Sequence, residues 1–509
     1  MLVGAALAAA MLLPAAYLLI TVAGSAAEAL DSIANSRTAA LALRSVALAA
    51  AVTASATAIA GVLAWLTART DLPGRRAWAV AAALPLVIPS YIGAYAFLSA
   101  FGAAGLVRDL LQGPFGIERL PDITGFGGAW LVLTLFTYPL VLIPVRSALR
   151  GLDPQLEEAA LGMGRSEWHV FRTVILPHLV PAIGAGAVLV ALYVLHDFGA
   201  VSIMRFDSFT REIYNVYRAS FDRTYAASLA LILVALMVVM LWLEGRARGG
   251  TLHRSGPGAA RRPRQVPLGR WRLPALAFCA LVCALALGVP AAVLVYWSLQ
   301  SFAGSPEWGE IASAAGSSLL VSGLAAIAAA VCSIPVALLA ARYPGRAANL
   351  VERASFTGYA LPGIVVALSL VFFATRVLPA SYQTLGLLVF AFLVLFLPLA
   401  LGAARASLQQ VSPNVEEAAR SLGRSPLNVL VTVTAPLMAS GIVAGSALVF
   451  LTAIKELPAT LILAPTGFET LATEIWSATS VGFFERGAIP SLVLLAISAP
   501  SLYLLLNRR

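Results

Sequence analysis

The chain has 509 residues, of which 60% are apolar and 11% charged, with a mean hydropathy of +0.88 and a formal net charge of +10. That balance excludes a soluble globular protein, and the lack of strict apolar/polar alternation argues against a β-barrel. It predicts an all-α polytopic membrane protein.

A hydrocarbon layer of about 30 Å needs roughly 20 apolar residues per helix. In the first half such runs lie at 4–23, 41–67, 77–101, 128–149, 179–204 and 225–243. In the second they lie at 273–298, 315–341, 354–376, 384–404, 437–454 and 487–506. Residues 1–23 followed by AGSAAEA have the look of a signal peptide. No basic segment precedes them, however, and Pro14-Ala15-Ala16 is matched by Pro290-Ala291-Ala292 in the seventh run, so a retained first span is expected. With the N-terminus inside, most of the 34 Lys and Arg fall on cytoplasmic segments, which is the positive-inside bias and leaves both termini in the cytoplasm. The basic residues are accounted for by topology, and no nucleic-acid partner is expected. Cys279, Cys283 and Cys332 read as small packing residues.

About 12 transmembrane helices thus fall into two repeats, 1–243 and 273–509, separated by a basic linker at 244–272 that holds eight arginines with glycine and proline. Such a composition predicts a flexible cytoplasmic connection. Six spans per repeat is an even number, so the two six-helix repeats are parallel. Ala83-Leu84-Pro85 and Ala360-Leu361-Pro362 occupy matching places, each preceded by a turn, ARTDLPGR at 68–75 and ARYPGR at 341–346.

The strongest internal match is polar. PQLEEAALGMGRSEWHVFRTVILPHLVPAI at 154–183 recurs 259 residues later as PNVEEAARSLGRSPLNVLVTVTAPLMASGI at 413–442, with 13 of 30 positions identical. Pro154 with Glu157 and Glu158 predicts a helix start, because the positive end of the helix dipole favours acids in a first turn. Ala159 and Ala160 continue the helix, Gly164 ends it, and Arg165-Ser166 open another; Pro177 and Pro181 are expected to mark the entry to the next span. Glu416, Glu417, Ala418, Ala419 and Gly423 repeat the pattern. A short helix–turn–helix lying on the membrane, with a small-residue face, is a docking surface offered twice.

These segments resemble the EAA coupling loop of bacterial ABC importer permeases. Glu158-Ala159-Ala160, Gly164 and Leu176-Pro177 fit that signature, with Val174 for the usual isoleucine; the second copy departs further, at Val433 and Ala435. The resemblance covers both halves and implies a type I importer architecture, in which each loop inserts into a separate ATPase subunit. A P-loop needs GxxxxGK[ST], and Lys455, the only lysine, follows no glycine loop. No bound cofactor or catalytic residue is therefore expected in this chain. Two copies of an ATPase subunit, which carry the ATP, a periplasmic substrate-binding protein and the lipid bilayer are the implied partners, at a bacterial inner membrane.

About twenty residues after each signature proline comes an ionisable segment: His196, Asp197 and Gly199 in one repeat, Lys455, Glu456 and Pro458 in the other. Ionisable groups at a span end mark a pathway or form a buried polar cluster that pins the halves, and both readings stand. Gly199 and Pro458 are expected to loosen the helix just beyond, where backbone would line a cavity. The stretches DFGAVS and KELPAT resemble the fused permeases of ferric-iron importers. Thiamine, polyamine and phosphonate importers are alternatives within the same architecture; an ion-gradient-driven secondary transporter is the alternative from another class. No metal-ligating set can be named, although Asp197, Glu456, Tyr91, Tyr95 and Tyr214 offer oxygen donors. The external loops carry thirteen acids, and Arg211, Arg218 and Arg223 with Glu469 and Glu474 are docking candidates for a soluble partner.

Overall fold

The computed structural model describes residues 2–103, 105–220, 222–247, 265–343 and 345–506. Among them the chain is helical, apart from turns and an isolated parallel bridge between Thr70 and Val266. Ten helices among the described residues are long and apolar enough to cross a membrane. Every predicted run contains a helix, and Gly363–Val377 is apolar but shorter than those ten.

Two runs differ from expectation in the same way. The run at 77–101 is a helix Arg75–Ala81, a 3₁₀ turn Leu84–Val87 and a helix Ser90–Phe101. The run at 354–376 divides equivalently into Arg346–Ser355, Thr357–Ala360 and Gly363–Val377. Proline is the reason. The residue before a proline is driven out of the helical region, and Ile88 and Leu361, each followed by Pro, are extended with ψ 120° and 122°.

The chain packs as two units, and their boundaries depart from the sequence halves. One unit holds residues 1–34, 213–234 and 300–509; the other holds 35–212 and 235–299. The first span, Leu2–Gly24, thus belongs with the second repeat. Its Ala8 shares a core with Val336, Leu401 and Met438, and Tyr17 meets Phe373 edge-on at 5.6 Å. In the other unit, Val293 of the seventh run packs on Ala96 and Ala100, and the Trp297 indole donates to Ser99 (2.5 Å).

Each unit has a nucleus of three helices. In one these are Ser36–Arg69, Pro139–Gly151 and Leu176–His196; in the other, Trp308–Arg342, Leu385–Leu408 and Ala435–Ala453. Without a hydrophobic force between helices in lipid, close approach of backbones holds them. A Cβ at Gly186 would lie 2.7 Å from the Val141 Cα, and one at Gly445 would lie 2.9 Å from the Ala400 Cα.

The predicted linker begins later and ends earlier than its composition suggests. The helix Arg223–Ala247 runs into it, and a turn at Gly269–Trp271 starts the next span. Residues 248–264 lie outside the described residues, and with them the expectation of flexibility there. The end of the linker is tied down: Val266 N–H donates to the Arg69 carbonyl (2.7 Å) and Leu268 N–H to the Asp71 carboxylate (2.8 Å).

Candidate functional site

The repeated polar segments fold alike. Asp153 accepts from Gln155 N–H (2.9 Å) and starts the helix Pro154–Gly162; Ser412 precedes its counterpart Pro413–Ser421. Both helices stop at a left-handed glycine, Gly164 at φ +76° and Gly423 at φ +82°. The N–H of the residue after each glycine reaches back five residues, Arg165 to the Ala160 carbonyl and Arg424 to Ala419 (both 3.3 Å), which satisfies carbonyls the helix end would leave open. Ser166 and Ser425 then cap the next helix through His169 and Asn428 N–H (3.3 Å each).

That second helix does not stop at the signature prolines. Glu167–Val170 passes through a π turn, Phe171–Ile175, into Leu176–His196, and Pro426–Val429 passes through Leu430–Thr434 into Ala435–Ala453. Pro177 and Pro181 therefore lie within a continuous helical stretch that begins at Glu167. A proline lacks the N–H for its i−4 carbonyl and its ring crowds that group, and the widened turn just ahead makes room.

The two glutamates of each copy point in opposite directions. Glu157 is buried and ion-paired with Arg69, the last residue of the span Ser36–Arg69, whose side chain is 2% exposed and also lies over the Trp65 ring. Glu416 is buried against Arg342, the last residue of Trp308–Arg342 (3.1 Å). Arg342 also donates to the Val411 carbonyl (2.8 Å), and Thr434 donates to Glu416 (3.2 Å). Ala160 and Ala419 are buried beside these pairs, whereas Glu158, Ala159, Glu417 and Ala418 are exposed. Sequence reasoning missed both arginines. Their signal was there, as the arginine opening each of the matching turns at 68–75 and 341–346.

The outer faces are apolar where a solvated loop would be polar. Leu156, Met163 and Trp168 are exposed in one copy, and Val415, Leu422 and Leu427 in the other; Met163 and Leu422 reach 74% and 83%. An exposed apolar ridge on a polar segment marks a surface made to be covered.

The ionisable segments have a different local role. The Asp197 carboxylate accepts from Ser90, from Ala200 N–H (2.9 Å) and from Val201 N–H (3.3 Å), while Thr210 donates to the Asp197 carbonyl (2.6 Å). Glu456 accepts from Ala459 N–H (3.3 Å), and Thr460 donates to its carbonyl (2.8 Å). Each acid therefore secures the first turn of a short helix, Gly199–Ile203 or Pro458–Leu463. The long helices end at His196 and Ala453, and Gly199 and Pro458 begin the short helices that follow the break. His196 and Lys455 are half-buried at the span ends. Among the described residues, no three His, Cys, Asp or Glu are grouped to hold a metal ion.

Residues 60–246 and 333–509 each match the family described as the inner membrane component of binding-protein-dependent transport systems. The chain is similar to the Fe(3+)-transport system permease protein FbpB 2 of Haemophilus influenzae, with 34% identity over 87% of this chain and 84% of the relative. It is 24% identical to the ferric transport system permease protein FbpB of Actinobacillus pleuropneumoniae over 81% of this chain and 64% of that one. The molybdenum transport system permease protein ModB of Escherichia coli is 33% identical over 86% of its own length but 37% of this chain, about the extent of one repeat.

Proposed function

Since the chain belongs to the family of binding-protein-dependent transport inner membrane components, and matches it twice, we propose that it is the transmembrane permease subunit of an ATP-driven importer of ferric iron. It is a multi-pass membrane protein whose family works with an ATPase and a binding protein. In the finer reading it lies in a bacterial inner membrane with both termini in the cytoplasm, and each repeated segment docks on one of two ATPase subunits. The chain has no catalytic role of its own; ATP is bound and hydrolysed by those partners.

The observation that carries this reading is the twice-built coupling segment, with an apolar ridge outward and a buried glutamate inward. Glu158, Ala159 and Met163, with Glu417, Ala418 and Leu422, would meet the ATPases. Glu157 and Glu416 would pass the push to the spans ending at Arg69 and Arg342. Closure of the ATPases would draw the two segments together and open the far side, and hydrolysis would reverse it, a population shift between two states. Ferric iron as cargo rests on the similarity to the two ferric permeases and on DFGAVS and KELPAT. Fe(III) would arrive on the binding protein, and the segments secured by Asp197 and Glu456 would gate its passage.

The test is uptake of ⁵⁵Fe(III) by iron-starved cells, with and without this chain. Loss on deletion, restored by the wild-type gene, is expected. Unchanged uptake would move the cargo to thiamine, a polyamine or a phosphonate. Uptake that persists without any ATPase subunit would instead point to a gradient-driven carrier.

A further inference from the structure

At the ends of the repeats remote from the coupling segments, one scaffold carries two charge patterns. Ser45 accepts from Phe209 N–H (3.3 Å) and Ser318 from Leu471 N–H (2.8 Å), each joining the second span of its repeat to a short helix. Counting from these bonds, Arg37 corresponds to Glu310, Arg44 to Ser317 and Arg211 to Thr473, while Asp207 corresponds to Glu469 and Glu212 to Glu474. In the first repeat the acids are matched from within: Arg37 pairs with Glu212 (2.7 Å), and Arg44 and Arg211 pair with Asp207 (3.4 and 2.6 Å). In the second repeat both acids are kept, all three arginines are gone, and a further carboxylate stands in place of Arg37.

The result is an open groove of about 570 Å³ lined by Glu310, Glu469, Glu474 and Arg486, with small residues such as Gly467 and Ala478 leaving room. Arg486 is shared with Glu307 (2.9 Å), so four carboxylates face one arginine. Burial and the neighbouring Glu469 push the Glu474 carboxyl above its usual range; a hydrogen bond with Glu307 and the charge of that residue push Glu310 up. Like charges held this close are costly unless a cation joins them. Among the described residues they are not grouped to ligate a metal ion. Their partner in the first repeat is a guanidinium.

We infer that this groove receives an arginine or lysine side chain of the soluble binding protein, which supplies from outside the cation that Arg37 supplies from within the first repeat. The inference rests on the importer reading, which places this end outside the membrane. Glu310 opens the helix that ends at Arg342, so about 48 Å of helix separates the groove from the coupling segment. A planar guanidinium would bridge Glu474 and Glu310 with paired N–H donors, which favours arginine.

The experiment uses the permease–ATPase complex in lipid nanodiscs and the binding protein of the same importer, with Kd read by biolayer interferometry and the iron content of the binding protein assayed separately. E310R copies the first repeat and fills the groove, and docking is expected to weaken about tenfold or more. E310Q/E474Q, a milder change that carries the test if E310R does not elute as an intact complex, should weaken it less. Affinities within about twofold of wild type in both variants, or no docking on the wild type, would overturn the proposal. So would ⁵⁵Fe(III) alone binding the wild-type complex and not E310Q/E474Q, since the groove would then serve the cargo. A binding protein that docks through the groove but carries no iron would support the groove and remove ferric iron as the cargo.

Discussion

The two repeats agree at one end and disagree at the other. At the coupling segments they share a buried Arg–Glu pair, a left-handed glycine, a capping serine and an exposed apolar ridge, at a constant spacing of 259 residues within the segment. At the far end the serine-to-helix bond is kept, yet three arginines of the first repeat have no counterpart in the second. Folding needs alone do not explain this, because the scaffold is the same. A surface that meets two copies of one partner must be built twice, whereas a surface that meets a single partner is free to differ. Under the proposed function the end built twice would meet the ATPase, and the end that differs would meet the binding protein.

The largest effect is expected at the buried pairs. Glu157→Ala leaves Arg69 charged, buried and unpaired, which typically costs about 3–5 kcal/mol. Glu416→Ala should cost less, because Arg342 is 16% exposed and keeps the Val411 carbonyl. Thermal unfolding of the detergent-purified chain checks the ranking; equal losses would mean that burial does not distinguish the repeats. R69M/E157M, which removes both charges, should recover much of the stability.

Next comes the ridge. Met163→Asp and Leu422→Asp change exposed side chains, so folding should be spared while ATPase binding weakens by about 1–2 kcal/mol each. Co-purification of the ATPase with each variant measures it. If the two segments meet identical subunits, the losses should match, and a loss confined to one would break the symmetry.

An effect of similar size attaches to the glycines. Nothing lies within 4 Å of a Cβ built at Gly164 or Gly423, so a side chain there meets open space and only the backbone objects. Holding an L-residue left-handed costs roughly 1–2 kcal/mol. Gly164→Val and Gly423→Val should shift the turn and uncouple ATP hydrolysis from uptake, with Asn better tolerated. Normal iron uptake in both Val variants would overturn the assignment of these segments as the coupling elements.

How much of this was readable beforehand follows from sequence distance. Spans, repeats and the recurring polar helix–turn–helix rest on local apolar runs and on a match without gaps, so they were legible. The pairing of Glu157 with Arg69 joins residues 88 apart, and nothing local announces that one glutamate turns inward while its neighbour stays out. The structural use of Asp197 was hidden for the same reason, since its Ser90 partner lies 107 residues away. The exchanged first span was also beyond reach, because apolar helices in lipid carry little in their composition to say which bundle they join. The charge difference at the far end needed the serine bonds to fix the correspondence, which there differs from 259 residues.

The finest test of the comparison is the pH dependence of docking. Burial and the neighbouring Glu469 raise the Glu474 carboxyl, and a hydrogen bond with Glu307 and that residue's charge raise Glu310, whereas Glu307 is held below its usual range by its hydrogen bond with Glu310 and by Arg486. An incoming cation favours the charged forms, so docking releases the protons that the raised carboxyls hold in the free groove. Affinity should therefore rise with pH through the raised range and weaken severalfold on mild acidification, at pH values where ordinary carboxylates remain ionised. Glu474→Gln removes the most buried of these groups and should flatten the profile while lowering affinity at neutral pH. A steep profile that survives Glu474→Gln would put the titrating group on the binding protein and leave the groove without this part in recognition.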